Sequence, residues 1–508
     1  MNVLVYTDVV SWEMHIATAV EIIKRHIEKG DKVFFVTHEI NELGCIPHKI
    51  PFCKHCAKQS NFIFEKIFKK KIFKIDLKLQ KKFDQPKFLS IEKILEYRHE
   101  EMPIGELVMS SITDENRQIF NDLDSIHNKI SSLINIGINL YKEICELIDK
   151  QNIGIVYSWN GRRATTGPVL YAGLKKNIKF YSYMTGGTLN TYTVQPTTMV
   201  HDLKYGKKRL KELYEKYYEK GDTLKKDFFI SEAKNFFNYF RYGVGKTWGY
   251  VYYKDLFDDK IPFKKISKKK ILTIFTSSYY EFYALGIGFR KKNGKDINHY
   301  EFIKQILTSP YILENYDIKV RWHPNLSFAG KVEIAEIEKI IQNTKKEITH
   351  YSPFHKMNSY KLLENSDIII SFGSTIGIEA TYYGKASILW GAAFYEDSGG
   401  VYEVNSLPEL EKLLSKSLQP KAKINSMKYA FFERNKGEYS YEYIKYDKND
   451  KYYFNNIRVY KPTFSQLIKE NVKIILKFFG MVGFGRKIYY HISKFLRLKY
   501  SGYTPLDW

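Results

Sequence analysis

Cysteine is scarce, at four residues in 508, which excludes a disulfide-built scaffold. Proline (14) and glycine (30) are too few for a collagen-like, linker-dominated or wholly disordered chain. Long apolar runs are missing as well. Even IILKFFGMVGF near the carboxyl end is interrupted by Lys477 and preceded by Lys473, short of the roughly 18–20 residues of a spanning helix. The opening MNVLVYTDVVSWEMH puts Asp8 and Glu13 where a secretory leader needs an apolar stretch, so a cytoplasmic chain is expected. Acidic residues are the other shortage: 56 Asp and Glu face 80 Lys and Arg, a net charge of +24. That balance favours anionic partners such as phosphorylated ligands, acidic lipid surfaces or nucleic acid. The basic residues are spread along the chain, and no RNA- or DNA-binding motif accompanies them, which argues against nucleic acid.

What the chain does have is core-forming material, 44% hydrophobic residues, over a length that suits two large domains with appendages or three smaller ones. NVLVYTDV reads as a buried strand, the stretch from Trp12 to Lys29 as a helix and KVFFVTH as a second strand, the opening of a parallel α/β sheet. Residues 60–150 read mostly as helix, and IGIVYSW and IKFYSYMT then flank a crossover. A second alternation runs from ILTIFTSS through IKVRWH and SDIIISFGS to SILWG. The predicted fold class is α/β, two Rossmann-like domains facing a cleft, with helical insertions and a basic helical carboxyl-terminal tail. The expected units are an amino-terminal Rossmann-like domain with a helical insertion at 1–205, a helical linker region at 206–265, a second Rossmann-like domain at 266–405, and a helical return segment with an amphipathic tail at 406–508.

Three strand ends in the second unit carry phosphate-compatible chemistry. In IIISFGSTIGIEATYYGKASI a buried strand leads through Gly373, Ser374, Thr375 and Gly377 into a helix whose first N–H groups and positive dipole end would face an anion. Glu379, about one turn later, could accept hydrogen bonds from ribose or sugar hydroxyls; the competing reading is an ordinary capped helix with Ser374 or Thr375 as its cap. In IKVRWHPN, His323 and Asn325 follow a strand, and Arg321 adds a fixed positive charge; a lone His before Pro is otherwise structural. TIFTSSYYEF ends a third strand with Thr276, Ser277 and Ser278, followed by Glu281. Separately, Cys45, Cys53 and Cys56 cluster beside His48 and His55. They have ligand types for a structural zinc but match no common finger spacing, so reduced, packed thiols remain the other reading.

The set T-S-S-x-x-E-F at 276–282, R-W-H-P-N at 321–325 and S-x-G-S-T-x-G-I-E-A at 371–380 resembles the bacterial capsule-polysaccharide-synthesis glycosyltransferases, the group that includes the Kdo transferases of capsule assembly. The resemblance covers about residues 270–400; in the first half only Asp8/Trp12/His15, the cysteine cluster and W-N-G-R at 159–162 share in it. It implies the GT-B architecture, with the nucleotide-sugar donor on the second domain and the acceptor on the first. Donor contacts would then be Ser277, Ser278, Arg321, His323, Asn325, Ser374, Thr375, Gly377 and Glu379, with His323 stabilising the developing phosphate charge and neither cofactor nor metal required. Acceptor contacts would be Asn160 and Arg162, and Asp8, Glu13 or His15 the acceptor's general base. His201–Asp202 is a lesser candidate.

Residues 461–500 carry apolar side chains at three and four spacing among many Lys and Arg, a pattern for packing on the first domain or for peripheral contact with an anionic inner membrane face. The sequence therefore predicts a glycosyltransferase moving a CMP- or UDP-linked sugar to a growing surface polysaccharide, on a glycan or lipid-linked glycan acceptor. The alternatives are a CDP-alcohol phosphotransferase of teichoic-acid type, a nucleotide-sugar 2-epimerase and a non-catalytic binding homologue.

Overall fold

A computed structural model describes residues 1–8, 12–39, 51–79, 81–120, 122–243, 260–345, 347–447 and 451–462. The basic tail, Cys45, His48 and the Cys53 side chain lie outside the described residues. No helix among the described residues is long and apolar enough to cross a membrane.

Two parallel sheets organise the molecule. The first is built from β1 (Asn2–Tyr6), β2 (Lys32–Glu39), β3 (Phe73–Lys78), β4 (Ile155–Trp159), β5 (Lys179–Thr185) and β6 (Thr191–Pro196) in the order β3-β2-β1-β4-β5-β6, with β6 antiparallel to β5. The second contains β7 (Lys270–Phe275), with β8 (Lys291–Lys292) and β9 (Lys295–Asp296) forming a separate hairpin. It continues with β10 (Tyr316–Arg321), β11 (Thr349–Tyr351), β12 (Ile368–Ser371), β13 (Ala386–Trp390) and β14 (Tyr402–Val404) in the order β11-β10-β7-β12-β13-β14, all parallel. Each sheet reverses direction next to its own first strand, between β1 and β4 in one and between β7 and β12 in the other. Both are doubly wound, so the chain has two Rossmann-like domains, and such sheets open a crevice at the carboxyl ends of the strands where the order reverses.

Strand periodicity sorts the core. Leu4 and Tyr6 face the layer containing helices Ile104–Asn116, His127–Lys150 and Gly167–Lys175, while Val3 and Val5 face the helix Glu13–Glu28. In His127–Lys150 the buried positions Ile130, Leu133, Ile134, Ile138, Tyr141, Ile144 and Ile148 recur at three and four, a stripe buried in the core shared by the first sheet and the neighbouring helices. Each such aliphatic side chain contributes about 1.5–3 kcal/mol on burial. In the second domain Ile274, Ile318, Val320 and Ile370 supply one face, and Phe275 and Ile369 the other.

Two features depart from the sequence expectation. FKIDLK, inside the stretch read as helix, is the edge strand β3; its side chains are largely exposed, so its lysines and aspartate pass for a polar surface. After the helix Lys423–Asn435, which packs on the second domain, β15 (Tyr439–Ser440) pairs with β6 of the first sheet. β16 (Ile444–Tyr446), β17 (Tyr452–Phe454) and β18 (Ile457–Arg458) then form a small sheet against the helix Glu13–Glu28, where the sequence predicts only helix. The return segment thus crosses from the second domain back to the first.

Candidate functional site

In the second sheet Phe275, Arg321 and Ser371 are register neighbours, so three chains emerge side by side at the switch point. Cross-ties fix the emerging loops. The amide of His323 donates to Thr276 Oγ1 at 2.9 Å, and the Ser277 hydroxyl donates to the Phe372 carbonyl at 2.9 Å. That hydroxyl also meets His299 Nδ1 at 3.0 Å, so the imidazole must supply the proton of this second bond. His299 is buried, which pulls its pKa down to about 3.

Above these ties lies a cavity of about 850 Å³, whose walls include Ser277, Ser278, Arg321, His323, Asn325, Ser374, Thr375 and Glu379. Eight of the nine residues predicted for donor contact therefore share one cavity. Gly377, the ninth, is not in its wall: a Cβ there would come within 2.1 Å of Ser371 Oγ and 2.9 Å of the Tyr395 hydroxyl. The glycine lets the helix Thr375–Tyr382 lie against the strand it follows. Gly373, with φ of +86°, makes the turn between them.

His323 has a defined tautomer. The Asn325 amide donates to its Nδ1 at 3.2 Å, and Ser278 Oγ lies 3.3 Å from the same atom. A backbone N–H can only donate, so Nδ1 carries no proton, and the neutral ring presents Nε2–H. Burial, and then the neighbouring Arg321, lower the pKa of His323 to about 4. Arg321 is fully buried, donates from Nη1 to the Ser352 carbonyl at 2.6 Å, and is lowered to about 10 by burial, still cationic at neutral pH. Glu379 is buried deeper in the wall, accepts from the Tyr360 hydroxyl, and is pushed up to about 7 by burial against the opposing effect of hydrogen bonds from Tyr360 and Thr375. Arg241, from the helix Thr223–Tyr242, lies over the rings of Tyr360 and Tyr383 at 5.6 and 4.7 Å and pairs with Glu364. Arg241 and Tyr360 carry no sequence signal, because they come from elements remote from the strand-end motifs. The assembly gathers N–H donors, a buried cation, a helix start and, one turn into that helix, a carboxyl around one cavity.

The first sheet's switch point holds the other predicted group. Asp8 accepts from Thr165 Oγ1 at 2.5 Å; burial raises its pKa to about 6 in spite of nearby Arg163. His15 is lowered to about 3 by burial and then by Arg163, and its ring lies 5.4 Å from that of Trp12 and 4.8 Å from that of Trp159. Arg163 reaches over the Trp159 ring at 5.2 Å and pairs with Asp114. Among the described residues, Asp8 Oδ1, His15 Nδ1, Trp159 Nε1, Asn160 Oδ1 and Arg163 Nε and Nη1 are buried without a hydrogen-bond partner. Arg163 is the residue the sequence motif stops short of; the second arginine of GRR is its signal.

Other predicted residues have structural work. Arg162 is in a domain clasp: its Nη1 donates to Ser110 Oγ at 3.0 Å and to the Ala284 carbonyl of the second domain at 3.3 Å, and its Nη2 pairs with Asp114 at 3.1 Å. Glu13 is bound at both oxygens by Arg458, at 2.9 and 2.7 Å, and accepts from the Tyr452 amide at 3.1 Å. Asp202 caps the helix Leu203–Tyr214 through the Tyr205 amide at 2.7 Å, whereas His201 lines the 850 Å³ cavity. Of the proposed zinc cluster, Cys56 packs half-buried against the first domain's core and His55 Nε2 meets the Tyr460 hydroxyl at 2.9 Å.

No protein-family model and no curated protein sequence matches the chain. Among solved structures it is similar to the beta Kdo 2,4 transferase of Thermosulfurimonas dismutans KpsC, with 13% identity and a TM-score of 0.34 over 55% of this chain and 80% of that one. For the beta Kdo 2,7 transferase of the same protein the values are 15% and 0.35, over 66% and 89%. For a UDP-GlcNAc 2-epimerase of Methanocaldococcus jannaschii they are 10% and 0.26, over 84% and 98%. Scores and identities this low carry no functional weight.

Proposed function

We propose that this protein is a glycosyltransferase that takes a sugar from a CMP- or UDP-linked donor and adds it to a growing bacterial surface polysaccharide, capsule or lipopolysaccharide. The observation that carries the reading is the Nε2–H of neutral His323 at the wall of the 850 Å³ cavity, beside the turn from Gly373 into the helix Thr375–Tyr382. A donor's phosphate fits that corner: the imidazole N–H, the Arg321 charge and the helix start all favour negative charge that grows as the sugar–phosphate bond breaks. Glu379 faces the same cavity and suits the ribose hydroxyls. Contact of the basic tail with the inner membrane face belongs to the same reading. The test is product analysis after incubation with nucleotide-sugars and a glycan acceptor. Release of nucleotide with an extended glycan supports the proposal; CMP release with a phosphodiester product, or conversion of the donor sugar without any acceptor, replaces it with the phosphotransferase or the epimerase.

A further inference from the structure

Sugar transfer needs a group to remove the proton of the acceptor hydroxyl, and the amino-terminal candidates are poorly placed for it. Glu13 is held by Arg458 and the Tyr452 amide, His15 is buried against two indoles, and Asp8 is buried under Thr165 and Arg163. A different carboxylate stands in the open cavity. Glu281 lies on the helix Tyr279–Ala284, which starts at Ser278 of the donor motif and ends at the Ala284 carbonyl gripped by Ser110 and Arg162 of the first domain. Its helix therefore touches the donor cavity at one end and the acceptor domain at the other.

The surroundings of Glu281 leave its oxygens weakly engaged. Asn325 Nδ2 and the Tyr280 hydroxyl both approach Oε1 at 3.4 Å, and no bond to Oε2 is present among the described residues. Asn325 is also the residue whose amide fixes the His323 tautomer, so the carboxylate and the imidazole sit on either side of one short turn. Across the cleft the charged groups acting on Glu281 are Asp114, Arg117 and Arg162. Burial, and then Asp114, raise its pKa above the ordinary glutamate range, the direction that makes a carboxylate a better proton acceptor.

We infer that Glu281 is the general base of the transfer reaction, taking the acceptor's hydroxyl proton. The inference rests on the transferase reading. The acceptor oxygen bonds to the anomeric carbon, the bond from that carbon to the donor phosphate oxygen breaks, and its electron pair stays on the nucleotide beside His323 Nε2–H. The proton from the acceptor resides on Glu281 Oε2 until it passes to water. An oxygen with no bond among the described residues, on a residue lining the cavity, is what distinguishes Glu281 from Glu379, whose carboxyl is held by Tyr360 and Thr375.

The test compares wild type with Glu281→Gln and Glu281→Asp, following nucleotide release from the donor in the presence of glycan acceptor, with nucleotide affinity measured by calorimetry on the same preparations. A general base contributes about 10²–10⁴-fold. Glu281→Gln is expected to lose at least about 100-fold in kcat with nucleotide affinity within threefold of wild type, and to lose the acid limb of the wild-type pH–rate profile. Glu281→Asp is expected to retain more activity than Glu281→Gln. Activity in Glu281→Gln within threefold of wild type overturns the assignment and leaves the transferase reading standing. A wild-type protein that releases nucleotide from no nucleotide-sugar overturns both.

Discussion

The backbone amide of Asn325 donates to Nδ1 of His323 at 3.2 Å, and this one bond decides which face of the imidazole can act. With Nδ1 occupied as an acceptor, the proton sits on Nε2, and with the pKa lowered to about 4 the ring is a neutral donor throughout the physiological range. It stabilises charge as a hydrogen-bond donor and does not need to be an imidazolium.

His323→Ala is expected to lower kcat/KM for the donor by about 10²–10³-fold, the cost of removing one donor from a site of developing charge. The wild-type pH–rate profile is expected to show no loss of activity between pH 6 and 8 attributable to an imidazolium, because His323 is already neutral there. An alkaline limb near pH 6.5 that disappears in His323→Ala contradicts the tautomer assignment.

Glu379, pushed up to about 7, titrates within the working range. Ribose hydroxyls donate more strongly to a carboxylate than to a carboxylic acid, so nucleotide affinity is expected to rise as pH increases from 6 to 8. Glu379→Gln is expected to flatten that dependence and weaken binding about 10–100-fold, the range for a hydrogen bond to a charged group. Calorimetric titrations at three pH values check both; an equally steep dependence in Glu379→Gln removes the glutamate from the ligand.

Gly377→Ala places a methyl group 2.1 Å from Ser371 Oγ, beneath the cavity instead of within it. The expected result is a loss of about 1–3 kcal/mol in urea unfolding from overpacking. Gly384→Ala meets open space and is strained only by a φ of +76°, costing about 1 kcal/mol. A smaller loss in Gly377→Ala than in Gly384→Ala contradicts the close helix–strand approach.

The two doubly wound sheets were legible in the sequence because their strands are buried on both faces and read as short apolar runs between helical patterns. The 850 Å³ cavity is legible for the same reason: its walls include the residues that end those strands, Thr276 to Ser278, His323 and Asn325, Ser374 and Thr375. β3 was not, since its Lys-Ile-Asp-Leu-Lys alternation is that of an edge strand facing solvent. Gly377 packs against the strand and not at the cavity, because a glycine-rich turn does not say which glycine faces open space and which the strand. The sequence offers Arg162 as an acceptor contact and Glu13 as a candidate base, but their partners, Ala284 and Arg458, lie 122 and 445 residues away. Pairings of that range are fixed by the tertiary fold and leave no local pattern.

Acid stability follows from the buried ionisable groups. His15, His201 and His299 are lowered to about 3, and His38, His323 and His350 to about 4, all by burial. Such groups contribute stability that is present above an unfolded pKa near 6.5 and lost as pH falls, by at most about 1.4 kcal/mol per pH unit each. Asp8 at about 6 and Glu333 and Glu379 at about 7 act oppositely, their contribution present at low pH and lost as pH rises through those values. Six imidazoles outweigh three carboxyls, so unfolding free energy from urea titrations is expected to fall between pH 6 and pH 4.5. A constant value across that window contradicts the burial of these rings.

The most direct test is titration calorimetry of CMP, CDP, UDP and GDP against wild type, His323→Ala and Glu379→Gln. One nucleotide is expected to bind wild type with one site per chain, and both substitutions to weaken it at least about 10-fold. Binding of none of the four, or binding that neither substitution alters, contradicts the placement of a nucleotide-sugar donor in the cavity between the ends of β7, β10 and β12.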